Sequence, residues 1–442
     1  MKKSRIRLLK KRRFFRKKLN KKIRRHKRKK YLDRRLIEKK TKSERFLLFN
    51  FLNMNKFAKK PKKFGRDIFF NMPRSFSFIE NPDETIQLLR YLFYCGIRSS
   101  VEKLNFNYVD CEKLGICAST VMDVVILEIK KQKQRWRNRR PFNISAQVQD
   151  ESKQIKDILE VSGLIKHLGF PTQERSYITK LDLLTGSNNN KRGSKSGEVA
   201  TQVTDYFIRC INTQGLGMGR EGIRIMGDMI GEIIGNCETH GGTFTQWYTL
   251  GHYSTEEKGK YGECHLVFFN FGSTIYESLN SDTTSIEIRE SLANLTRKHR
   301  GFFKMSWTEE SLWTLYALQD GVSRLRDREK DPDRGTGTVK LIDCFQSIGE
   351  THDGNFPAMS ITSGRTHIYF DGKYKLADQK IGNEYRQVIA FNSTNDLNEP
   401  PDPNNVRTLK NFFPGTVISM RFYLDRTFIT RLMEESKNGN KS

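Results

Sequence analysis

The strongest constraint on the fold comes from the stretch Met229-Ile-Gly-Glu-Ile-Ile-Gly-Asn-Cys-Glu-Thr-His-Gly241, where three polar residues recur at every fourth position. On a helix, Glu232, Asn236 and His240 lie along one face, with neighbouring side chains about 6 Å apart. A carboxylate, a carboxamide and an imidazole in one row are costly in an apolar core and suit the wall of a polar ligand site. The alternative is an exposed polar face without function.

Two glycine-containing segments follow this stretch. Asn270 and Gly272 lie where an apolar predicted strand runs into a turn, and Asp333-Arg-Gly-Thr-Gly-Thr-Val339 places a second glycine turn before a predicted helix. Glycines in front of a helix let backbone N–H groups approach a phosphate, and the helix N-terminus favours its negative charge. An isolated Gly-x-Gly more often forms an ordinary turn, so its weight comes from its position after the other two segments.

In this order and spacing, the three segments resemble the N box and the two glycine boxes of the GHKL ATPase superfamily, over roughly residues 198–424. The spacing of Glu, Asn and His is most similar to that of the anti-sigma-factor serine kinases. Gly415-Thr416 before an apolar strand also fits, since the family often has Gly-Thr there beside the adenine. The resemblance implies helices on one face of a mixed sheet, with ATP and Mg²⁺ as ligands.

The resemblance also implies a role for each matching residue. Asn236 would be a ligand of Mg²⁺, and Glu232 would be the general base that orients or deprotonates the attacking hydroxyl or water. Arg334 would neutralise charge on the γ-phosphate. The other positions that it assigns to ATP binding are His240, Asn270, Gly272, Gly335, Gly337, Thr338 and Thr416. For His240, bracing the helix end is the alternative.

One position departs from the family's pattern. The first glycine box normally has an Asp that accepts a hydrogen bond from the adenine amino group, and this chain has Asn270. The carboxamide oxygen can still accept that bond, but a neutral acceptor makes a weaker one than a carboxylate. Reduced base selectivity or affinity is therefore one expectation, and a fold retained without nucleotide binding is the other.

Residues 64–175 alternate predicted strands and helices, which indicates a small α/β layer. The order strand, Asp, helix, strand, helix, followed by Gly163-Leu-Ile-Lys-His-Leu-Gly169, resembles the STAS family of anti-sigma-factor antagonists. In that family an Asp-Ser pair follows the strand, and the serine takes a phosphate. The matching pair is Asp110-Cys111, which puts a phosphorylation switch at this position in doubt. An unrelated α/β domain is the alternative.

The basic character of the chain is confined to its N-terminal end. The formal net charge is +29, but residues 1–63 hold 30 of the 79 Lys and Arg and only 3 of the 50 Asp and Glu, so the rest is close to neutral. Mutual repulsion keeps such a tail solvated until it meets a polyanion. RNA, DNA, an anionic membrane surface or an acidic protein are candidate partners. The alternative is a disordered extension with no specific partner.

These patterns predict an α/β and α+β protein with several parts. They are a basic tail at 1–63, a STAS-like α/β domain at 64–175, a polar linker at 176–197, a GHKL-type ATP-binding domain at 198–432 and a C-terminal tail at 433–442. The charged, partly helical residues 280–334 are predicted to form a lid over the nucleotide. One helical layer against a mixed or antiparallel sheet is the simplest packing of the second domain.

The preferred function is a cytoplasmic ATPase or a kinase that phosphorylates a protein Ser or Thr in signalling, stress response or defence. The seven cysteines are scattered without a C-x-x-C pair, which favours a reducing compartment, and no apolar run reaches the roughly 20 residues of a membrane helix. A protein partner or phosphate acceptor, and a homodimer, are expected. The alternatives are a nucleotide-gated partner-binding module with little turnover, and a nucleic-acid-associated factor acting through its tail.

Overall fold

The computed structural model describes residues 65–134, 142–149, 152–163, 165, 175–187, 196–240, 246–255, 261–304, 306–322, 337–347, 356–381, 384–427 and 429–430. The predicted tails at 1–63 and 433–442 lie outside these ranges, as do Arg334 and Gly335 of the second glycine turn. Among the described residues, no helix combines the length and the apolar character needed to cross a bilayer.

The protein has a mixed α/β architecture, as expected from its sequence. The strands are β1 (Asp67–Asn71), β2 (Ser75–Phe76), β3 (Lys103–Asn107), β4 (Lys113–Leu114), β5 (Asn143–Gln147), β6 (Ile178–Ser187), β7 (Gln246–Thr255), β8 (Tyr261–Asn270), β9 (Ala358–Phe370), β10 (Ala377–Ile381), β11 (Glu384–Val388) and β12 (Val406–Asp425). The helices are α1 (Pro82–Gly96), α2 (Ile116–Gln134), α3 (Lys153–Val161), α4 (Ser196–Thr213), α5 (Arg220–His240), α6 (Ile275–Leu279), α7 (Ile286–His299), α8 (Glu309–Tyr316) and α9 (Gly337–Ser347).

A five-stranded sheet with the order β6-β7-β8-β12-β9 forms the centre of the molecule. Strands β7 and β8 form an antiparallel hairpin, and every pairing in this sheet is antiparallel. Of the two arrangements predicted for this sheet, mixed or antiparallel, the chain forms the antiparallel one, and the long strand β12 runs antiparallel to both of its neighbours, β8 and β9.

Helices α4, α5 and α9 cover one face of this sheet, and this face is named the cavity face below. Apolar residues recur at helical spacing in α5, and Met226, Ile230 and Ile234 are buried against the strands. Their partners alternate along each strand, because only every second side chain of a strand points to a given face. The core of this face includes Phe207 on α4, Leu266 and Phe268 on β8, Leu341 on α9 and Met420 on β12.

Helices α1 and α2 lie against the opposite face, which is named the N-terminal face below. The sequence predicts helices on one face only, and this prediction is wrong because both faces of the central strands are apolar. The intervening side chains Val267, Phe269 and Val417 are fully buried and need a second cover. Helix α2 supplies part of it and is itself buried on most sides, since α1 and α3 also pack on it.

The small sheet has the order β1-β3-β5, and its pairings are parallel. The strands and helices predicted in residues 64–175 are present here, with α1, α2 and α3 as the helices. Cys111 follows β3 and is buried, with its thiol 3.6 Å from the carbonyl oxygen of Lys113. Burial raises the pKa of the Cys111 thiol to about 11, so it is protonated and unreactive at neutral pH.

The segment predicted as a linker contains part of the central sheet. Strand β6 pairs antiparallel with β7, and Leu181 within it is buried. The linker prediction over 176–197 therefore fails for residues 178–187. The sequence predicts a linker here because this strand has few apolar positions and the residues that follow it are polar and rich in glycine. The predicted lid is also partly core, because Leu312 and Leu315 of α8 are buried against the cavity face.

Candidate functional site

A cavity lies between α5, α9 and the edge of the central sheet where β8 ends. It contains about 930 Å³ of space between protein atoms, including the part open to solvent. Its apolar lining comes mainly from Ile233, Leu341, Ile361 and Ile418. Its polar lining includes Asn236, Asn270, Thr274, Thr338 and Thr416. Few polar groups among apolar walls are typical of a ligand site.

Strand register places the two kinds of lining in adjacent rows. Asn270 on β8 lies opposite Thr416 on β12, and Thr416 lies opposite Ser363 on β9. Two residues further along the same face, Ile418 lies opposite Ile361. A polar row therefore borders an apolar floor, and both face α5 across the cavity.

Asn270 is only 4% exposed, and its carboxamide is held by the backbone. The N–H of Gly272 donates to Oδ1 of Asn270 at 3.2 Å. Gly415, with φ 111°, lies against this turn: a Cβ there would overlap the carbonyl oxygen of Asn270 and approach Oδ1 and the Gly272 nitrogen to 2.8 Å each. Both the positive φ and the lack of space require glycine at position 415.

A hydroxyl network supports the polar row. The hydroxyl oxygens of Ser363 and Thr416 are 3.0 Å apart, and the N–H of Ile275 donates to the Ser363 hydroxyl at 2.9 Å. Thr274 begins α6 with a reciprocal cap, in which its hydroxyl accepts from the Glu277 N–H and its own N–H donates to the Glu277 carboxylate. The Thr-x-x-Glu signal for this cap is visible in the sequence, whereas nothing local marks Ser363.

Glu232 lies one helical turn before Asn236 on α5, against the first residue of α9. A Cβ at Gly337 would overlap the side chain of Glu232, so the close contact between the two helices depends on glycine. The first turn of α9 therefore starts beside a carboxylate, and its next residue, Thr338, lines the cavity. The first N–H groups of a helix have no partner within the helix itself.

The thiol of Cys237 also lines the cavity. Burial raises its pKa to about 11, and the hydrogen bond from the Asn270 carboxamide opposes this only in part. The thiol is thus protonated near neutral pH and is not a nucleophile. Its contribution to the site is the contact with Asn270.

The structure brings together most of the residues proposed from the sequence. Asn236, Asn270, Thr338 and Thr416 line the cavity, Gly272 orients Asn270, and Glu232 and Gly337 touch each other beside it. His240 ends α5, but its side chain is outside the described part of the chain, and so are Arg334 and Gly335. From the predicted lid, Ala317, Leu318 and Val322 line the cavity.

Comparisons of the chain with protein-family models, curated proteins and solved structures gave no match. The donor set of the cavity itself suits a nucleotide: an apolar floor for a planar base, carboxamides and hydroxyls for its polar edges, and a helix N-terminus for phosphate. The carboxamide oxygen of Asn236 is a hard donor of the type that Mg²⁺ prefers.

Proposed function

We propose that the cavity binds a nucleoside triphosphate with Mg²⁺ and that the protein cleaves its γ-phosphate, by hydrolysis or by transfer to a Ser or Thr of a protein partner. One observation carries this proposal: Asn236, Asn270, Thr338 and Thr416 come from four separate elements and surround a single cavity. The resemblance to the GHKL superfamily implies ATP as the nucleotide. The seven free cysteines are compatible with the cytoplasmic location that we also propose.

The two ends of the cavity suit different parts of a nucleotide. The first turn of α9, with Thr338, is suited to the phosphates, and the row of Ile361 and Ile418 to the base. Mg²⁺, when bound, would neutralise phosphate charge. Glu232, beside this turn, is placed to accept the proton of an attacking hydroxyl, and Asn236 offers its carboxamide oxygen one turn further along α5.

The test compares nucleotide binding and turnover by the wild type and Asn236→Ala, with Asn404→Ala as a matched control, because Asn404 is exposed and remote from the lining. We expect Mg²⁺-dependent binding by the wild type and by the control, and a loss of at least tenfold in affinity or turnover in Asn236→Ala. A wild-type protein that binds neither ATP nor GTP at millimolar concentration contradicts the proposal.

A nucleotide-gated binding module is the second candidate, favoured by the position of Ala317, Leu318 and Val322. These residues of the predicted lid line the cavity, so a ligand there contacts them directly. Glu232→Ala separates the two candidates. An enzyme retains binding and loses about 10²–10⁴-fold in turnover, whereas a module binds its partner as before and shows no turnover to lose.

A further inference from the structure

The orientation of the Asn270 carboxamide is fixed by the chain itself. A backbone N–H is only a donor, so the atom of Asn270 that faces the Gly272 nitrogen at 3.2 Å is the oxygen. The NH₂ group is therefore on the other side of the carboxamide. Asn270 lines the cavity, so the NH₂ group is the polar part of its side chain that remains for a ligand there.

The group that Asn270 presents to a ligand differs from the acceptor that is expected for adenine. In the pose that the GHKL resemblance implies, with the C6 substituent of the purine facing position 270, a carboxylate would use one oxygen for the Gly272 N–H and present the other as an acceptor to the adenine amino group. Asn270 uses its oxygen in the same way but presents N–H to the cavity. Asn270 is only 4% exposed, and two donors that face each other across a bound ligand leave both without a partner.

The ligand edge that satisfies Asn270 carries an acceptor where adenine carries its amino group. In the purines this is the carbonyl oxygen at C6, present in guanine and hypoxanthine. Asn270 lies one row from the apolar floor of Ile361 and Ile418, so a purine lying on that floor turns an edge toward it. We infer that the cavity recognises 6-oxopurine nucleotides in preference to adenine nucleotides. The inference rests on the proposed function and names its substrate class.

The test measures dissociation constants of the full chain for the β,γ-imido analogues of ATP, GTP and ITP with Mg²⁺, by displacement of a ribose-labelled nucleotide. The wild type should bind the GTP and ITP analogues about tenfold more tightly than the ATP analogue, the factor that one unsatisfied buried hydrogen-bonding group produces. ITP lacks the 2-amino group of GTP, so equal binding of the two assigns the preference to the C6 carbonyl.

Variants then test whether Asn270 causes the preference for 6-oxopurine nucleotides. Asn270→Asp should reverse this preference: the ATP analogue should bind about tenfold more tightly and the GTP analogue about tenfold more weakly. Asn404→Asp, an exposed control, should change neither affinity. If Asn270→Asp does not fold, Asn270→Ala serves, with GTP and ITP losing affinity and ATP unchanged. A wild type that binds ATP as tightly as GTP and ITP, or that prefers GTP but not ITP, overturns the inference and leaves nucleotide binding intact. Binding of no nucleotide at all overturns the proposed function instead.

Discussion

The two faces of the central sheet are built from the same strands and are both largely apolar, but they differ around Asn270 and Thr416. On the N-terminal face, aromatic and aliphatic side chains fill the space, as where the ring of Phe78 meets Phe413 edge to face at 5.6 Å. On the cavity face, the equivalent space beside Asn270 and Thr416 stays open and is lined with polar groups. Alternation along β8 and β12 separates the two, since neighbouring residues point in opposite directions.

The comparison indicates where stability and chemistry reside. Changes on the N-terminal face should lower the free energy of unfolding and leave ligand affinity unchanged in the folded protein. Changes at the polar residues that line the cavity should lower ligand affinity and leave the free energy of unfolding nearly unchanged, except at glycines whose conformation serves both. Three experiments test this division, in order of decreasing effect on stability.

Phe78→Ala should have the largest effect on stability. Phe78 is 1% exposed, its ring packs on Phe413, and its carbonyl oxygen accepts a hydrogen bond from the Ser360 hydroxyl. Truncating a buried Phe costs about 3–5 kcal/mol. Urea unfolding measures the loss, with Phe69→Ala as the control, because Phe69 is 74% exposed and should change stability by less than about 0.5 kcal/mol. Similar losses in both variants would contradict the packing described.

Gly415→Ala should have an intermediate effect on stability and a large one on binding. Alanine at φ 111° is strained by about 1–3 kcal/mol, and its Cβ would displace Asn270. Gly372→Ala is the matched control, because Gly372 also has positive φ, 82°, but open space around it. Both variants should lose stability in thermal unfolding, and only Gly415→Ala should lose nucleotide binding. Equal binding by the two would show that the turn at Asn270 does not form the site.

Acidification should lower the free energy of unfolding by a smaller amount, through His252 on the N-terminal face. Burial, with a contribution from the nearby His265, lowers the pKa of His252 to about 3 from 6.5. In the unfolded chain His252 therefore binds a proton below pH 6.5, whereas in the folded protein it binds one only below about pH 3. Stability falls through that window, by up to about 1.4 kcal/mol per pH unit for each such group.

Burial lowers the pKa of His367 on β9 to about 3 as well, so two protons contribute to this slope. Thermal unfolding between pH 7 and pH 5 should show the melting temperature of the wild type decreasing, and His252→Gln should reduce the slope by about half. Ligand affinity at pH 7 should be the same in both proteins. An unchanged slope in the variant would show that His252 does not remain neutral in the folded state.

Local patterns in the sequence predict much of this structure, and long-range pairing explains the rest. Helix α5 and the hairpin of β7 and β8 follow from spacings within a few residues, and so does the row of Glu232 and Asn236. Strand β6 was missed because its pairing with β7 joins segments about 70 residues apart. The second helical cover of the sheet was missed for the same reason, since α2 and β8 are far apart in the chain.

The candidate site could also be predicted only in part from local sequence patterns. Asn270 and Thr416 were predicted from glycine-containing motifs, but Ser363 was not, because only strand register brings it next to Thr416. The orientation of the Asn270 carboxamide likewise depends on a distance to Gly272 that the sequence does not contain. A motif therefore predicts which residues meet, and the hydrogen bonds decide which atoms face the ligand.

The position of α2 against the central sheet has a consequence for any attempt to divide the protein. A gene fragment beginning near residue 176 would encode the whole cavity, yet it would expose Val267, Phe269 and Val417 to water on the reverse side of the strands that carry Asn270 and Thr416. Such a fragment should aggregate unless residues 65–134 are supplied in trans. Formation of the cavity thus depends physically on a region that contributes no residue to its lining.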